Sequence, residues 1–287
     1  MKKSIAFVWI FHSILTNAQQ PPGTEILLFD LSVKKNKVTM SNPVNITNRI
    51  GYDNQPFFHP DEPLIYYASA DEGGRTDIRV YNYQTGSTQS LTTTPEREYS
   101  PTVTPDTRFI SCIVQRDNGA QDLGKYPIEG GSAEVIINNL TVGYHAWVDA
   151  DHVAVFVLGQ PNSLRLYSIP DKKDLLLTDN IGRSLHQIPG VNDISFVDKK
   201  STEWLIRRLN AEDGVIETIT PTLPDCEDLA WTPDQKILMS DGSNIYFRAI
   251  KKGKSWLPVE ISGASLDGVT RMAVNSRGDK IAVVVSE

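Results

Sequence analysis

The residues of this sequence most able to do chemistry are two histidines and an acidic pair, His145, His186, Glu227 and Asp228. Imidazole rings are common ligands of divalent metals, and a bound metal can act as a Lewis acid on a sugar acid. Neighbouring residues on a strand point to opposite faces, so Glu227 and Asp228 would each need a partner from another element to work as paired acids. These residues are candidates for metal-assisted chemistry, but they form no complete catalytic set.

Other catalytic and metal-binding patterns are missing from the sequence. It contains no Gly-x-Ser-x-Gly turn, and Cys112 and Cys226 form neither a CxxC pair nor a Cys/His cluster with zinc spacing. We expect both cysteines to be free thiols. Segment 71–77 resembles part of a calcium loop but lacks its closing glutamate, and a hairpin turn explains it better. We therefore expect no catalytic residue and no cofactor, and His145 and His186 remain the only candidate metal ligands.

A repeat positions these residues. Its centre is a Pro-Asp turn between two apolar strands, and the turn at Pro60-Asp61 recurs 45 residues later at Pro105-Asp106. Each copy also carries a second pair of short apolar runs around another turn, and no stretch shows sustained helical periodicity. Four short strands in a repeat of this length predict the blade of a β-propeller. The remaining copies centre on 145–156, 188–196, 229–239 and 272–284.

The two ends of the chain supply the two halves of one repeat. Segment 24–51 matches a second half, and segment 269–287 matches a first half. We therefore predict an all-β fold, a six-bladed β-propeller of four-stranded antiparallel blades. The N-terminal strands would close the last blade and remove exposed sheet edges. A single domain would span 19–287, with blades at about 52–98, 99–143, 144–184, 185–227, 228–268, and 269–287 completed by 24–51.

The turns resemble those of one known family. The repeats are similar to those of TolB-like β-propellers, a periplasmic family whose repeats also resemble the propeller of dipeptidyl peptidase IV. The resemblance covers essentially all of 19–287 and implies the fold more than the function, because such propellers bind proteins, peptides and sugars and only sometimes catalyse. The usual Ser-Pro-Asp-Gly turn has eroded at 148–151 and 188–190. The matching segments are Phe58-His59-Pro60-Asp61, Thr104-Pro105-Asp106 and Trp231-Thr232-Pro233-Asp234, with Thr76-Asp77-Ile78 and Leu91-Thr92 downstream.

Aligning the copies predicts which side chains share one end of the central channel. The loops leading into the innermost strands carry polar and aromatic residues at equivalent positions, and loops on a rigid scaffold often hold binding groups. Charges of both signs suit a protein, a peptide or a saccharide. We expect a binding or interaction module rather than an enzyme. The candidate binding residues are Asn54, Gln55, Tyr99, Tyr144, His145, Arg183, Ser184, His186, Glu227, Asp228 and Arg271.

An enzyme is the alternative. Propellers of the oligogalacturonate lyase type have a similar blade repeat and hold a divalent metal with several histidines and a glutamine, so a metal-assisted polysaccharide lyase or hydrolase could use the same channel end. Only His145 and His186 stand there in this sequence, and that family has seven blades. We therefore keep the lyase only as an alternative to binding.

The N-terminus predicts export. Met1-Lys2-Lys3 is a positive start, 5–15 is mostly apolar, and Ala18 is a small residue at a suitable cleavage position. The apolar run is too short to span a bilayer, which needs about 20 residues. We expect a signal peptide at 1–18, cleavage after Ala18, and a periplasmic or secreted protein that does not span the membrane.

Charge limits the partners. The chain has 28 Lys+Arg against 35 Asp+Glu, a net charge of −7, and loss of Lys2 and Lys3 with the signal peptide makes it −9. A nucleic-acid binder needs clustered positive charge, which is absent from the sequence. We expect an envelope protein, peptide or saccharide as partner, no nucleic acid, and a monomer.

Overall fold

The computed structural model describes residues 22–250 and 255–287. All regular elements in this part of the chain are strands, grouped in six sheets. The predicted signal peptide at 1–18 lies outside the described residues. None of the chain that the structure describes forms an apolar helix of membrane-spanning length. Cys112 is buried, Cys226 is partly exposed, and both are free, as expected.

Each sheet is one blade, and we number the blades in chain order by their innermost strands. The first two strands, β1 (Thr24–Lys34) and β2 (Lys37–Asn45), belong to blade 6. Blade 1 contains β3 (Asp53–Phe58), β4 (Leu64–Ala70), β5 (Thr76–Asn82) and β6 (Ser87–Ser90). Blade 2 contains β7 (Arg97–Val103), β8 (Phe109–Gln115), β9 (Gln121–Pro127) and β10 (Glu134–Ile137). Blade 3 contains β11 (Val142–Trp147), β12 (His152–Val157), β13 (Ser163–Ser168) and β14 (Lys173–Asp179).

The second half of the ring repeats this order with shorter inner strands. Blade 4 contains β15 (His186–Gln187), β16 (Ile194–Asp198), β17 (Leu205–Leu209) and β18 (Ile216–Pro221). Blade 5 contains β19 (Leu229–Trp231), β20 (Lys236–Ser240), β21 (Ile245–Ala249) and β22 (Leu257–Pro258). Blade 6 adds β23 (Glu260–Ile261), β24 (Arg271–Val274) and β25 (Lys280–Ser286) to the two N-terminal strands. The predicted six-bladed propeller is therefore confirmed.

The core lies between neighbouring blades. Second strands such as β12 and β25 are rich in Val, Ile and Ala and are buried on both faces, whereas the outermost strand β6 is exposed along its length. Between blades 3 and 4, for example, Phe156 and Leu164 pack against Ile194 and Phe196. β-Branched and aromatic residues suit a pleated surface that is covered on both sides. Blade packing thus holds the inner strands in a fixed ring.

The ring closes in blade 6 through the N-terminus, as predicted. Strand β1 pairs antiparallel with β25, from Thr24 opposite Ser286 to Asp30 opposite Lys280. A fifth strand, which the sequence did not predict, is added outside β2: β23 pairs parallel with it through Thr39 and Glu260. A two-residue strand has too little periodicity to be read from sequence. This extra strand covers the outer edge of the blade that closes the ring.

Substitution of Phe29 tests how much ring closure contributes to stability. This β1 residue is completely buried in the cluster between blades 5 and 6. We expect Phe29→Ala to lower the free energy of unfolding by about 3–5 kcal/mol, since it leaves a cavity at the closing seam. Urea denaturation measures the change. Val44→Ala, at an exposed position of the neighbouring strand, is the control and is expected to have little effect. Equal effects of the two substitutions would contradict this account of closure.

Candidate functional site

The loops leading into the six inner strands meet at one end of the channel, which we call the channel mouth. A cavity of about 760 Å³ runs from this end along the channel. Eight of the eleven predicted binding residues line it: Gln55, Tyr144, His145, Arg183, Ser184, His186, Asp228 and Arg271. Asn54, Tyr99 and Glu227 do not line it. Most of the residues that the alignment of repeats predicted for the channel mouth therefore line this cavity.

Asp228 joins two arginines at the mouth. Its carboxylate accepts hydrogen bonds from Nε and Nη2 of Arg183, at 3.3 and 2.7 Å, and another from Nη1 of Arg271. The two-pronged contact with Arg183 is the geometry in which guanidinium and carboxylate bind strongly. Burial by itself lowers the pKa of Arg183, but its hydrogen bonds and attraction to Asp228 outweigh that effect and raise the pKa above its usual range.

Arg271 also reaches across the ring. Its Nη2 lies 3.3 Å from the hydroxyl of Tyr144, and its guanidinium lies 5.5 Å from the centre of the Tyr144 ring, a cation–π distance. Arg271 belongs to blade 6 and Tyr144 to blade 3, and these blades lie opposite each other in a six-membered ring. Four blades thus contribute to one connected group, Tyr144, Arg183, Asp228 and Arg271, which we call the mouth bridge.

Two of the three predicted residues outside the cavity, Glu227 and Asn54, bond to neighbouring backbone or side-chain groups instead. The Glu227 carboxylate accepts the backbone N–H of Arg183 at 3.2 Å and lies 3.4 Å from Nζ of Lys199. Asn54 is buried, and its side-chain oxygen accepts the backbone N–H of Gln55 at 2.8 Å. Glu227 and Asn54 therefore hold the backbone of the mouth loops and do not face the cavity.

Two further tyrosines, Tyr52 and Tyr99, lie beside the mouth bridge, and the sequence analysis predicted only Tyr99. The rings of Tyr52 and Tyr99 meet edge to face with centres 6.5 Å apart. Burial raises the pKa of Tyr52, and the proximity of Tyr144 adds to the rise. Tyr52 lies two positions before Asn54, beyond the two positions per loop that the alignment compared. An aromatic residue in the same loop was the signal that could have found it.

Bulged inner strands shape the mouth at blades 1 and 2. Gln55 and Ser100 have φ angles of 58° and 53°, each directly before a proline and at a shift in strand register. The side-chain oxygen of Gln55 accepts the backbone N–H of Ser100 at 2.7 Å. Strained non-glycine backbone is held only where its surroundings determine it, which here is the contact between two blades.

His145 is held by Ser111 of the preceding blade. Its Nε2 lies 2.7 Å from the Ser111 hydroxyl, which also accepts from Nε1 of Trp147 at 2.9 Å and donates to the carbonyl of Thr102 at 3.0 Å. Because the serine proton goes to Thr102, we assign the ring proton to Nε2. Nδ1 is buried without a hydrogen-bond partner, and burial lowers the pKa of His145 to about 3.

The same bridge recurs two blades further on. Nε1 of Trp231 donates to the Ser195 hydroxyl at 2.8 Å, and Ser195 donates to the carbonyl of His186 at 3.3 Å. Trp147 and Trp231 thus each donate a hydrogen bond to a serine of the preceding blade. His186 uses its Nε2 on the Ser184 hydroxyl at 2.9 Å, and burial lowers its pKa to about 4. Both histidines are therefore neutral at physiological pH.

Comparison with solved structures agrees with this architecture. The chain superposes on the TolB-type protein of Agrobacterium tumefaciens with a TM-score of 0.73 and 14% identity, over 93% of this chain and 99% of the other. TolB from Acinetobacter baumannii gives a TM-score of 0.59 and 12% identity, over 92% of this chain and 65% of that longer protein. The fold is that of a TolB-like six-bladed β-propeller. No protein-family model and no curated protein matches the chain.

A lyase is also similar to this TolB-like propeller. Oligogalacturonate lyase in complex with manganese superposes with a TM-score of 0.59 and 13% identity, over 88% of this chain and 83% of the other. The residues here do not fit a manganese site, since His145 and His186 direct Nε2 to different serines and Gln187 donates to the carbonyl of Val148. In residues 22–250 and 255–287, no three His, Cys, Asp or Glu side chains gather as metal ligands.

The burial of His145 predicts a pH dependence of stability. Its pKa is about 3 in the folded chain and about 6.5 in an unfolded one. The unfolded chain therefore binds the extra proton between these values, and stability falls as the pH drops from about 6.5 towards 3. We expect His145→Gln to reduce the slope of unfolding free energy against pH by about 1.4 kcal/mol per unit in this window.

Urea denaturation between about pH 4 and 6 measures this slope. Ser111→Ala is the matched control, because it removes the hydrogen-bond partner of the ring and leaves the titrating group in place. It is expected to lower stability at every pH without changing the slope. Identical slopes for wild type and His145→Gln would contradict the prediction.

Proposed function

We propose that this TolB-like propeller is an exported interaction module and that its channel-mouth face binds a protein, peptide or saccharide of the cell envelope. The mouth bridge is the observation that carries the proposal. Arginine and tyrosine are the side chains most often responsible for binding energy at interfaces, and here they sit on loops that six packed blades hold in place. A rigid surface loses little conformational entropy when a partner binds.

Export is supported by the N-terminal sequence. The positive start, the short apolar run and Ala18 have the order of a signal peptide. The propeller that follows has the fold of TolB proteins. In the proposal, the mature protein begins after Ala18 and works in the periplasm or outside the cell.

Cross-linking from the two ends of the channel tests the binding face. Ile50, in the loop leading into β3, is 91% exposed at the mouth, and Ala150 is exposed at the other end. We expect a photo-reactive amino acid at position 50, introduced in the producing cells, to give a discrete adduct that mass spectrometry identifies as protein or saccharide. The same group at position 150 should give none, because the partner contacts the other face.

Arg271→Ala supplies the second arm of this experiment. The substitution removes a guanidinium that joins blades 3, 5 and 6 at the mouth, and it should reduce the adduct from position 50 at least fivefold. Thermal unfolding of the purified variant shows whether the ring is retained. Adducts that form from position 150 and not from position 50 would contradict the proposed face.

A further inference from the structure

The channel behind the mouth bridge is a pocket of small-molecule size. Its lining runs from the bridge to turns at the other end, where Pro60, Pro105, Ala150 and Asn192 are exposed. Its volume of about 760 Å³ falls within the range of about 300–1,000 Å³ typical of sites for small organic ligands. Because Arg271 and Tyr144 meet across the ring, the turn end is the more open route into this pocket.

The charged groups of the pocket leave a surplus of positive charge beside the bridge. Among the described lining residues, Arg183, Asp228 and Arg271 are the charged ones at that end, so two guanidinium groups share one carboxylate. Glu227 lies outside the lining, 3.6 Å from Nε of Arg183 and 3.4 Å from Nζ of Lys199. With Lys199 and Glu227 included, three cations face two carboxylates, so one positive charge remains beside the bridge.

Asp149 is the fourth charged residue of the lining and lies at the other end of the channel, so the positive surplus is local to the bridge. The Asp149 carboxylate accepts hydrogen bonds from the backbone N–H groups of Asp151 and His152. The carboxylate also lies 3.1 Å from Nδ1 of His152. The channel histidines are neutral because burial lowers their pKa values.

Hydrogen-bond donors remain available on both arginines. Arg183 uses Nε and Nη2 on Asp228, and Arg271 uses Nη1 and Nη2 on Asp228, Thr270 and Tyr144. In the part of the chain that the structure describes, no hydrogen-bond acceptor is found for Nη1 of Arg183 or Nε of Arg271. Guanidinium groups bind carboxylates through two N–H groups at once, so the free donors are suited to an anion.

The pocket wall between the bridge and the open end is largely apolar. Its side chains include Phe57, Val103, Ala146, Trp147, Trp231 and Met272. A small anion without an apolar body would bury no apolar surface against this wall. A purely apolar ligand would leave the guanidinium donors without an acceptor. The lining therefore favours a ligand that has both an anionic group and an apolar body.

From this combination we propose that the channel binds a small amphipathic carboxylate, with its anionic group on Arg183 and Arg271 and its aromatic or aliphatic body against the apolar wall. The site goes beyond the interaction at the outer face, and it does not require that a partner bind there. Asp228 competes with the ligand for the same guanidinium groups and sets the affinity.

Binding of 3-phenylpropionate to the full mature chain tests the proposal. Trp147 and Trp231 line the pocket, so tryptophan fluorescence should change with saturation at one equivalent, and calorimetry should give the same stoichiometry. The comparison ligands are 3-phenylpropanamide, which has the body without the charge, and propionate, which has the charge with only a short body. Each is expected to bind at least tenfold more weakly than 3-phenylpropionate.

Two substitutions should act in opposite directions. Arg271→Gln should weaken binding of 3-phenylpropionate at least tenfold, whereas Asp228→Asn should strengthen it at least fivefold, because the competing carboxylate is lost while the shape is kept. A misfolded variant could not give the second result. Arg165→Gln is the control, since Arg165 pairs with Asp174 at 2.6 Å between the outer strands of blade 3. This variant should bind as the wild type does.

Several outcomes would overturn the proposal. They are the absence of saturable binding, equal affinity for the acid and the amide, and weaker binding by Asp228→Asn. None of these outcomes would contradict the proposed interaction at the channel-mouth face, because cross-linking from position 50 tests that interaction separately. Conversely, a mouth face without a partner would leave the affinity for 3-phenylpropionate intact.

Discussion

Closure of the ring between β1 and β25 is the constraint on which the rest of this structure depends. A blade buries both faces only when another blade packs on each side of it. The seven residue pairs from Thr24–Ser286 to Asp30–Lys280 complete blade 6 and so let it pack against blade 1. Without that pairing, two apolar faces and a sheet edge would be exposed to water. In the same blade, β23 pairs with β2 and covers the outer edge of the sheet.

Closure also creates the site. Once six blades form a ring, equivalent positions in the repeats meet at one channel end although they are far apart in sequence. Arg183 and Asp228 are 45 residues apart, and Arg271 and Tyr144 are 127 apart, yet both pairs are in hydrogen-bond contact. The loops that lead into the inner strands already place one side chain after another near the axis, so the group needs no inserted element. Changes at these positions can alter recognition without altering the blade packing that supports them.

The repeat made the fold predictable, whereas the site was only partly so. Pro-Asp turns at a constant spacing define blades because they determine where each strand reverses, which is a local property. Whether a side chain reaches the axis depends on neighbours from other blades. Glu227 and Asp228 are adjacent, yet Lys199 and the backbone of Arg183 hold the first outside the cavity while two arginines hold the second within it.

The histidines show the same limit on predicting the site from sequence. Their positions in the sequence are compatible with metal binding, but Ser111, on strand β8, and Ser184, in the loop before β15, occupy their Nε2 atoms. Tyr52 was missed because the alignment compared only two positions in each loop, and the edge-to-face contact that brings Tyr52 to Tyr99 lies between blades. Long-range contacts of this kind leave no pattern in a single sequence.

The mouth bridge separates two environments, and that position gives it a thermodynamic role. Its guanidinium groups meet solvent or a partner on the outer side and the apolar pocket on the inner side. A ligand that competes with Asp228 or Tyr144 for the guanidinium group of Arg271 changes the bonds that Arg271 makes to those two residues. Those two residues belong to blades 5 and 3, so the change extends across the ring. By linkage, any factor by which a channel ligand alters partner affinity is the factor by which the partner alters ligand affinity. Asp228, which is shared by both arginines, is the residue through which that coupling would pass.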